Sequence, residues 1–182
     1  MDAFLVSAAV VGLAEIGDKT QILSLLLSAR FRRPLPIIAG VFVATLVNHA
    51  AAGIVGVLFG NLLAGDRLRW ALAASFFGVA LWALRPDRIG RPRAGGRSAF
   101  LTTVSAFFIA EIGDKTQIAT IGLAARFDHL YAVVAGTTLG MMLANIPVVL
   151  LGDRVASRLP VRIIRIAAAI VFAALAVVTL VR

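Results

Sequence analysis

Glu15, Asp18 and Lys19 stand inside an apolar stretch, within the run AEIGDKTQI at residues 14–22, and the same nine letters return at residues 110–118 with Glu111, Asp114 and Lys115. On a continuous helix, spacings of three and four place each trio on one face. With Thr20, Gln21, Thr116 and Gln117 beside them, the two runs offer carboxylate, hydroxyl and amide oxygens and no sulfur. Such hard donors suit calcium, manganese or magnesium better than copper or zinc. Glu15, Asp18, Glu111 and Asp114 against two ammonium groups leave a formal charge of minus two, which one divalent cation would neutralise.

The elements that must hold these charges are greasy. Of 182 residues, 60% are hydrophobic, and the mean hydropathy is +0.97, beyond the range of soluble domains. Apolar stretches at 3–29, 35–63, 68–84, 99–125, 130–151 and 163–181 each approach or exceed the roughly 17 to 25 residues that cross hydrocarbon as a helix. The expectation is an all-α polytopic membrane protein of six transmembrane helices, with no room for a soluble domain. The first stretch does not read as a cleaved signal peptide, since it lacks a basic leader, carries Asp2 and is interrupted by charge. The chain has no cysteine, which excludes disulfides, thiolate chemistry and Cys-type metal sites.

A shift of 96 residues superimposes the chain on itself without a gap. Phe4-Leu5 falls on Phe100-Leu101, Ala29-Arg30-Phe31 on Ala125-Arg126-Phe127, Ala39-Gly40 on Ala135-Gly136, and Arg69 on Arg165. The unit is three helices, repeated once: repeat one over 1–84, a basic linker over 85–98 and repeat two over 99–182, forming a single transmembrane domain over 1–182. Three is odd, so the second copy enters from the opposite side, which gives two repeats of inverted topology. Both acidic runs lie mid-segment, so inversion should bring them to similar depth at the repeat interface.

Six unpaired charges at the bilayer centre would cost on the order of 15 to 20 kcal/mol even on a lenient insertion scale, so they must be paired, hydrated or bound to something. One structural reading is that each Glu pairs with its own Lys and the clusters only pin two helices together. Buried pairs of that kind are often replaceable by apolar packing, a weak reason to have them twice. Lys19 and Lys115 are the only lysines in the chain; a compact ammonium suits an internal counter-ion that holds the carboxylates when no metal is bound. Metal and protons would compete for the same oxygens, and two protons per divalent ion would keep the charge of the site constant. Gly17 and Gly113 are either points where the helix could unwind and expose carbonyls or glycines kept for close packing. Gly56, Gly60, Gly136 and Gly140 read as close-packing positions, and Pro34 and Pro36 as a helix start. Asn48, His49 and Asn145 lie mid-segment and are expected to make hydrogen bonds between helices around the site, whereas His129 reads as a solvated loop residue.

The net charge is +9. In a soluble protein it would raise nucleic-acid binding; here the arginines lie in short connections, where they set topology and meet anionic lipid, and no nucleic-acid partner is expected. Twelve arginines follow the first, third and fifth segments and four lie on the other side. The positive-inside rule therefore puts the 85–98 linker in the cytoplasm and both termini outside.

The pattern E-x-G-D-(K/R)-(T/S), present twice in a six-helix chain of two three-helix repeats, resembles the cation/proton exchanger family that includes Golgi manganese and calcium exchangers and bacterial manganese exporters. Both copies fit throughout: Glu15, Gly17, Asp18, Lys19, Thr20, and Glu111, Gly113, Asp114, Lys115, Thr116. The resemblance implies exchange of Mn²⁺ or Ca²⁺ for protons, with the acidic residues forming the binding site and no further cofactor. It also implies a bacterial inner membrane, where manganese efflux is the usual task. Rival readings are a passive divalent channel and an exporter of a small organic cation or amino acid. An intramembrane aspartyl protease built on Asp18 and Asp114 is disfavoured, because a proteolytic dyad must keep one carboxyl protonated and the adjacent lysines oppose that; no enzyme activity is expected.

Overall fold

The computed structural model describes residues 2–63, 65–85, 98–152 and 160–181. They form eight helices and no strand: α1 Asp2–Glu15, α2 Lys19–Phe31, α3 Pro34–Leu62, α4 Asp66–Ala83, α5 Ala99–Glu111, α6 Lys115–Phe127, α7 Leu130–Leu151 and α8 Val161–Val181. Most of the basic linker, residues 86–97 with Arg88, Arg91, Arg93 and Arg97, lies outside the described residues, as do Arg154, Arg158 and Arg182.

Two of the six anticipated helices are each two helices, which corrects the reading of Glu15, Asp18 and Lys19 as neighbours on one helical face. The break is written into the motif. Gly17 takes φ 79° and Gly113 φ 72°, a left-handed conformation that costs other residues about 1 to 2 kcal/mol. The following Asp is extended (Asp18 φ −82°, ψ 169°; Asp114 φ −80°, ψ 162°), and its carboxylate accepts from the amide of Thr20 or Thr116. An Asp N-cap of this kind satisfies a donor that the new helix cannot satisfy itself. Gln21 and Gln117, at the third helical position, reach back and accept from Gly17 N at 2.8 Å and Gly113 N at 2.7 Å, a variant of the capping box. The heptapeptide therefore ends one helix, turns and starts the next within three residues. Helices α2 and α6 also end alike, on Arg32 (φ 51°, ψ 31°) and Asp128 (φ 51°, ψ 32°) in the left-handed region.

Helix α1 packs most extensively on α7, α3 lies against α5, α6 and α7, and α4 pairs with α8. The first and second halves of the chain are thus interleaved. Glycine sets the crossings. A Cβ at Gly40 would lie 2.7 Å from Thr103 Cβ and 3.0 Å from the Phe100 carbonyl; one at Gly136 would run into the Phe4 carbonyl and lie 3.0 Å from Ser7 Cβ. Gly140 meets Ala8 and Gly12 on α1, and Gly56 and Gly60 meet Ile121, Ala124 and Ala125 on α6, the close-packing role read from their spacing. Pro34 opens α3.

Polarity is inverted relative to a water-soluble bundle. Leu35, Leu58, Trp70, Leu101, Ile170 and Val177 are exposed, while Ser7, Thr20, Ser24, Thr103, Thr120 and Thr137 are buried with the acidic residues. Helices α3, α7 and α8 are each long and apolar enough to cross a membrane. An apolar perimeter around a polar interior is the arrangement that lipid favours.

Candidate cation site

Glu15 is the last residue of α1 and is fully buried. Its Oε2 accepts from the Thr20 hydroxyl at 2.5 Å, across the helix break, while its Oε1 is buried without a hydrogen-bond partner among the described residues. Asp18, the N-cap of α2, accepts an ion pair from Lys115. Asp114, the N-cap of α6, is paired with Lys19 at 2.7 Å and accepts from the Thr116 hydroxyl at 3.1 Å. The lysines are crossed: each reaches the aspartate of the other copy, not the glutamate of its own. Removing one partner of such a buried pair costs about 3 to 5 kcal/mol, so the two helix breaks are held together by mutual pairing.

Glu15, Asp18 and Asp114 each offer a carboxylate oxygen, all within 4.8 Å of one another, and all three residues are buried. Three like charges at that separation repel strongly where water is scarce. The two lysines and the N-terminal ends of α2 and α6 supply the opposing positive potential. Oxygen donors converging in this way can hold a hard divalent cation. Glu111, the fourth acid, is not part of that convergence. Its Oε1 accepts from Thr45 Oγ1 at 3.0 Å and its Oε2 from Asn48 Nδ2 at 3.4 Å, both on α3.

The remaining sequence candidates divide by what they touch. Gln21 is engaged at both ends, since its amide also donates to the Ala144 carbonyl at 2.8 Å, and Gln117 holds Gly113; both shape the break. Asn48 reaches Glu111 and the Phe108 carbonyl. Asn145 accepts from Ser24 Oγ at 2.8 Å and approaches the Met141 sulfur at 3.1 Å. His49 is buried and, among the described residues, neither ring nitrogen is hydrogen-bonded, which corrects the expectation that it bonds between helices. Thr45 and Arg165 were not among the residues that type and spacing single out. Thr45 is a lone hydroxyl in an apolar helix, and Arg165 one of many loop-proximal arginines. The 96-residue offset from Arg69 was the available signal for Arg165, which donates to the Gly17 carbonyl at 3.3 Å.

The two breaks differ in access. A Cβ at Gly17 would collide with Val161 of α8, whereas among the described residues nothing lies within 4 Å of the same position at Gly113. Lys19 is 23% exposed and Lys115 3%. A separate cavity at α4, α6 and α8, lined by Leu68, Arg69, Leu72, Ala125, Arg126 and Thr179, contains none of the motif residues.

The family model for the divalent cation/proton antiporter GDT1 matches residues 3–91 and 99–182. A Vibrio cholerae protein named "Putative manganese exporter" is 50% identical over 181 residues, covering 98% of this chain and 90% of its own length. The "Divalent cation/proton antiporter GDT1" of Saccharomyces cerevisiae is 24% identical over 94% of this chain and 81% of its own. A "GDT1-like protein" of Synechocystis is 28% identical over 98% and 97%. No solved structure matches the chain.

Proposed function

This chain belongs to the GDT1 divalent cation/proton antiporter family, a family of membrane transporters and not of enzymes, and from that premise we propose that it exports manganese in exchange for protons. The observation that carries the reading is the convergence of Glu15, Asp18 and Asp114, from both halves of the chain, within 4.8 Å at a buried point. These three acids receive the ion; Glu111, held by Thr45 and Asn48, is the fourth acid of the site. The name of the Vibrio relative supports manganese, and the oxygen-rich donor set is compatible with calcium as well.

In this reading α1–α2 and α5–α6 are two discontinuous spans among six, and the chain is one transmembrane domain of two inverted repeats. Broken helices meeting near mid-membrane are where transporters of that plan bind their ions. The Vibrio relative supports a bacterial inner membrane, and the arginine distribution supports an orientation with the linker cytoplasmic and the termini periplasmic. When the ion enters, its charge replaces those of Lys19 and Lys115 on the aspartates; when it leaves, protons and the two ammonium groups restore the balance. The lysines thus keep the empty site from collapsing or opening.

The experiment is transport into proteoliposomes of Mn²⁺, Ca²⁺ and Mg²⁺, with and without a pH gradient. Uphill manganese movement driven by protons is expected. Flux that only runs down the metal gradient makes the protein a channel, and the absence of any metal flux points to the organic-cation or amino-acid alternative.

A further inference from the structure

We infer that the Met141 thioether is a ligand of the transported cation on the Glu15 side of the site, and biases it towards manganese and softer ions over calcium and magnesium. This rests on the reading of Glu15, Asp18 and Asp114 as the transport site.

Gly40 on α3 seats against Phe100 and Thr103 on α5, and Gly136 on α7 seats against Phe4 and Ser7 on α1. Every member of the second contact is offset from its counterpart by 96 positions, so α7 crosses α1 in the register in which α3 crosses α5. Five residues beyond Gly40, Thr45 donates its hydroxyl to Glu111, which lies eleven beyond Phe100. Five residues beyond Gly136 is Met141, and eleven beyond Phe4 is Glu15. Met141 therefore holds, against Glu15, the place that Thr45 holds against Glu111.

The chemistry of the two places is opposite. A hydroxyl there completes the Glu111 carboxylate; a thioether has no proton to give, and Glu15 Oε1 is left buried without a hydrogen-bond partner. An orphaned buried carboxylate oxygen carries a desolvation cost unless something else takes it. Met141 is itself fully buried, and Asn145 Nδ2, also within reach of the Met141 carbonyl, lies 3.1 Å from its sulfur, which fixes the side chain. Mere gap-filling by methionine would explain its burial but not the glutamate oxygen, at the matching register position, that no described residue hydrogen-bonds. A cation seated between Glu15 Oε1 and the sulfur satisfies both. Thioether sulfur adds little for Ca²⁺ or Mg²⁺, which demand oxygen, and more for transition and softer metals.

The test measures equilibrium binding of Mn²⁺, Ca²⁺ and Cd²⁺ to the purified protein and to M141T, which copies the Thr45 position, and M141L, which keeps the volume without sulfur. The expected result is a loss of roughly tenfold or more in the Mn²⁺-over-Ca²⁺ preference in both variants, with Cd²⁺ binding reduced further. An unchanged preference in M141L overturns the proposal. X-ray absorption of the cadmium-loaded wild type does not depend on any variant folding: a sulfur neighbour supports the assignment, and an oxygen-only shell overturns it. A wild type that binds no Mn²⁺ at all defeats the transport reading itself, a result distinct from bound metal without a sulfur neighbour.

Discussion

Glu15 is the acid of the proposed site whose two oxygens meet different fates: one is held by Thr20, and the other has no hydrogen-bond partner among the described residues. Glu15→Gln removes one of three crowded carboxylate charges while keeping the shape. Proton-driven Mn²⁺ flux is expected to fall to the level of empty liposomes, and the melting temperature in detergent to stay the same or rise, while the metal-induced increase in melting temperature disappears. Retained flux in that variant removes Glu15 from the site. The lysines behave differently. Lys115 and Asp18 are almost completely enclosed, whereas Lys19 still meets solvent. Lys115→Met leaves a buried carboxylate without its ion pair and is expected to destabilise by about 3 to 5 kcal/mol. Lys19→Met is expected to cost less, because the partly exposed Lys19 makes the more screened pair and the Asp114 left behind, though buried, keeps the Thr116 hydroxyl. Denaturation of both variants in the same detergent compares them directly, and equal losses would show that exposure does not govern the pairs.

At the scale of the element, the motif interrupts a helix as well as gathering acidic groups. Seven residues do both jobs, since Asp18 and Asp114 cap one helix with one oxygen and bind a lysine with the other. This economy explains why the charges could be read from the sequence while the break could not. Glycine in an apolar helix signals weakness or close packing equally well, and only the positive φ at Gly17 and Gly113 decides for the turn. Replacing either glycine by alanine is expected to cost about 1 to 2 kcal/mol through the backbone alone. Gly17→Ala costs more, because its Cβ meets Val161, while the same position at Gly113 is open. Thermal unfolding should rank the parent first, then G113A, then G17A, and adding V161A to G17A should recover part of the difference. Identical midpoints for the two single variants would mean that Val161 yields freely.

At the scale of the whole molecule, two halves with matching local geometry are interleaved so that each supplies the helix packed on the broken span of the other. An apolar perimeter and a buried polar seam follow from solvation in lipid. The coupling prediction belongs here. Exchange of one divalent ion for two protons moves no net charge, so one pH unit sustains a metal gradient of about a hundredfold, and clamping the membrane potential with valinomycin and potassium leaves it unchanged. A gradient that collapses or grows with the potential excludes two-for-one exchange and requires a different proton count.

The sequence by itself determined the membrane character, the duplication and the charged residue types, because composition, hydropathy and exact repetition are properties of the chain that need no packing to be read. It also pointed to the family, through a motif repeated in full. Tertiary structure decided which charges meet. Glu15 joins Asp18 and Asp114, Glu111 turns to Thr45 and Asn48, and each lysine crosses to the other copy. Periodicity along one helix assigns neighbours within a segment only. The crossed pairs, and the seating of Thr45 against Glu111, come from helices packed face to face across the repeat, where separation along the chain carries no information about distance.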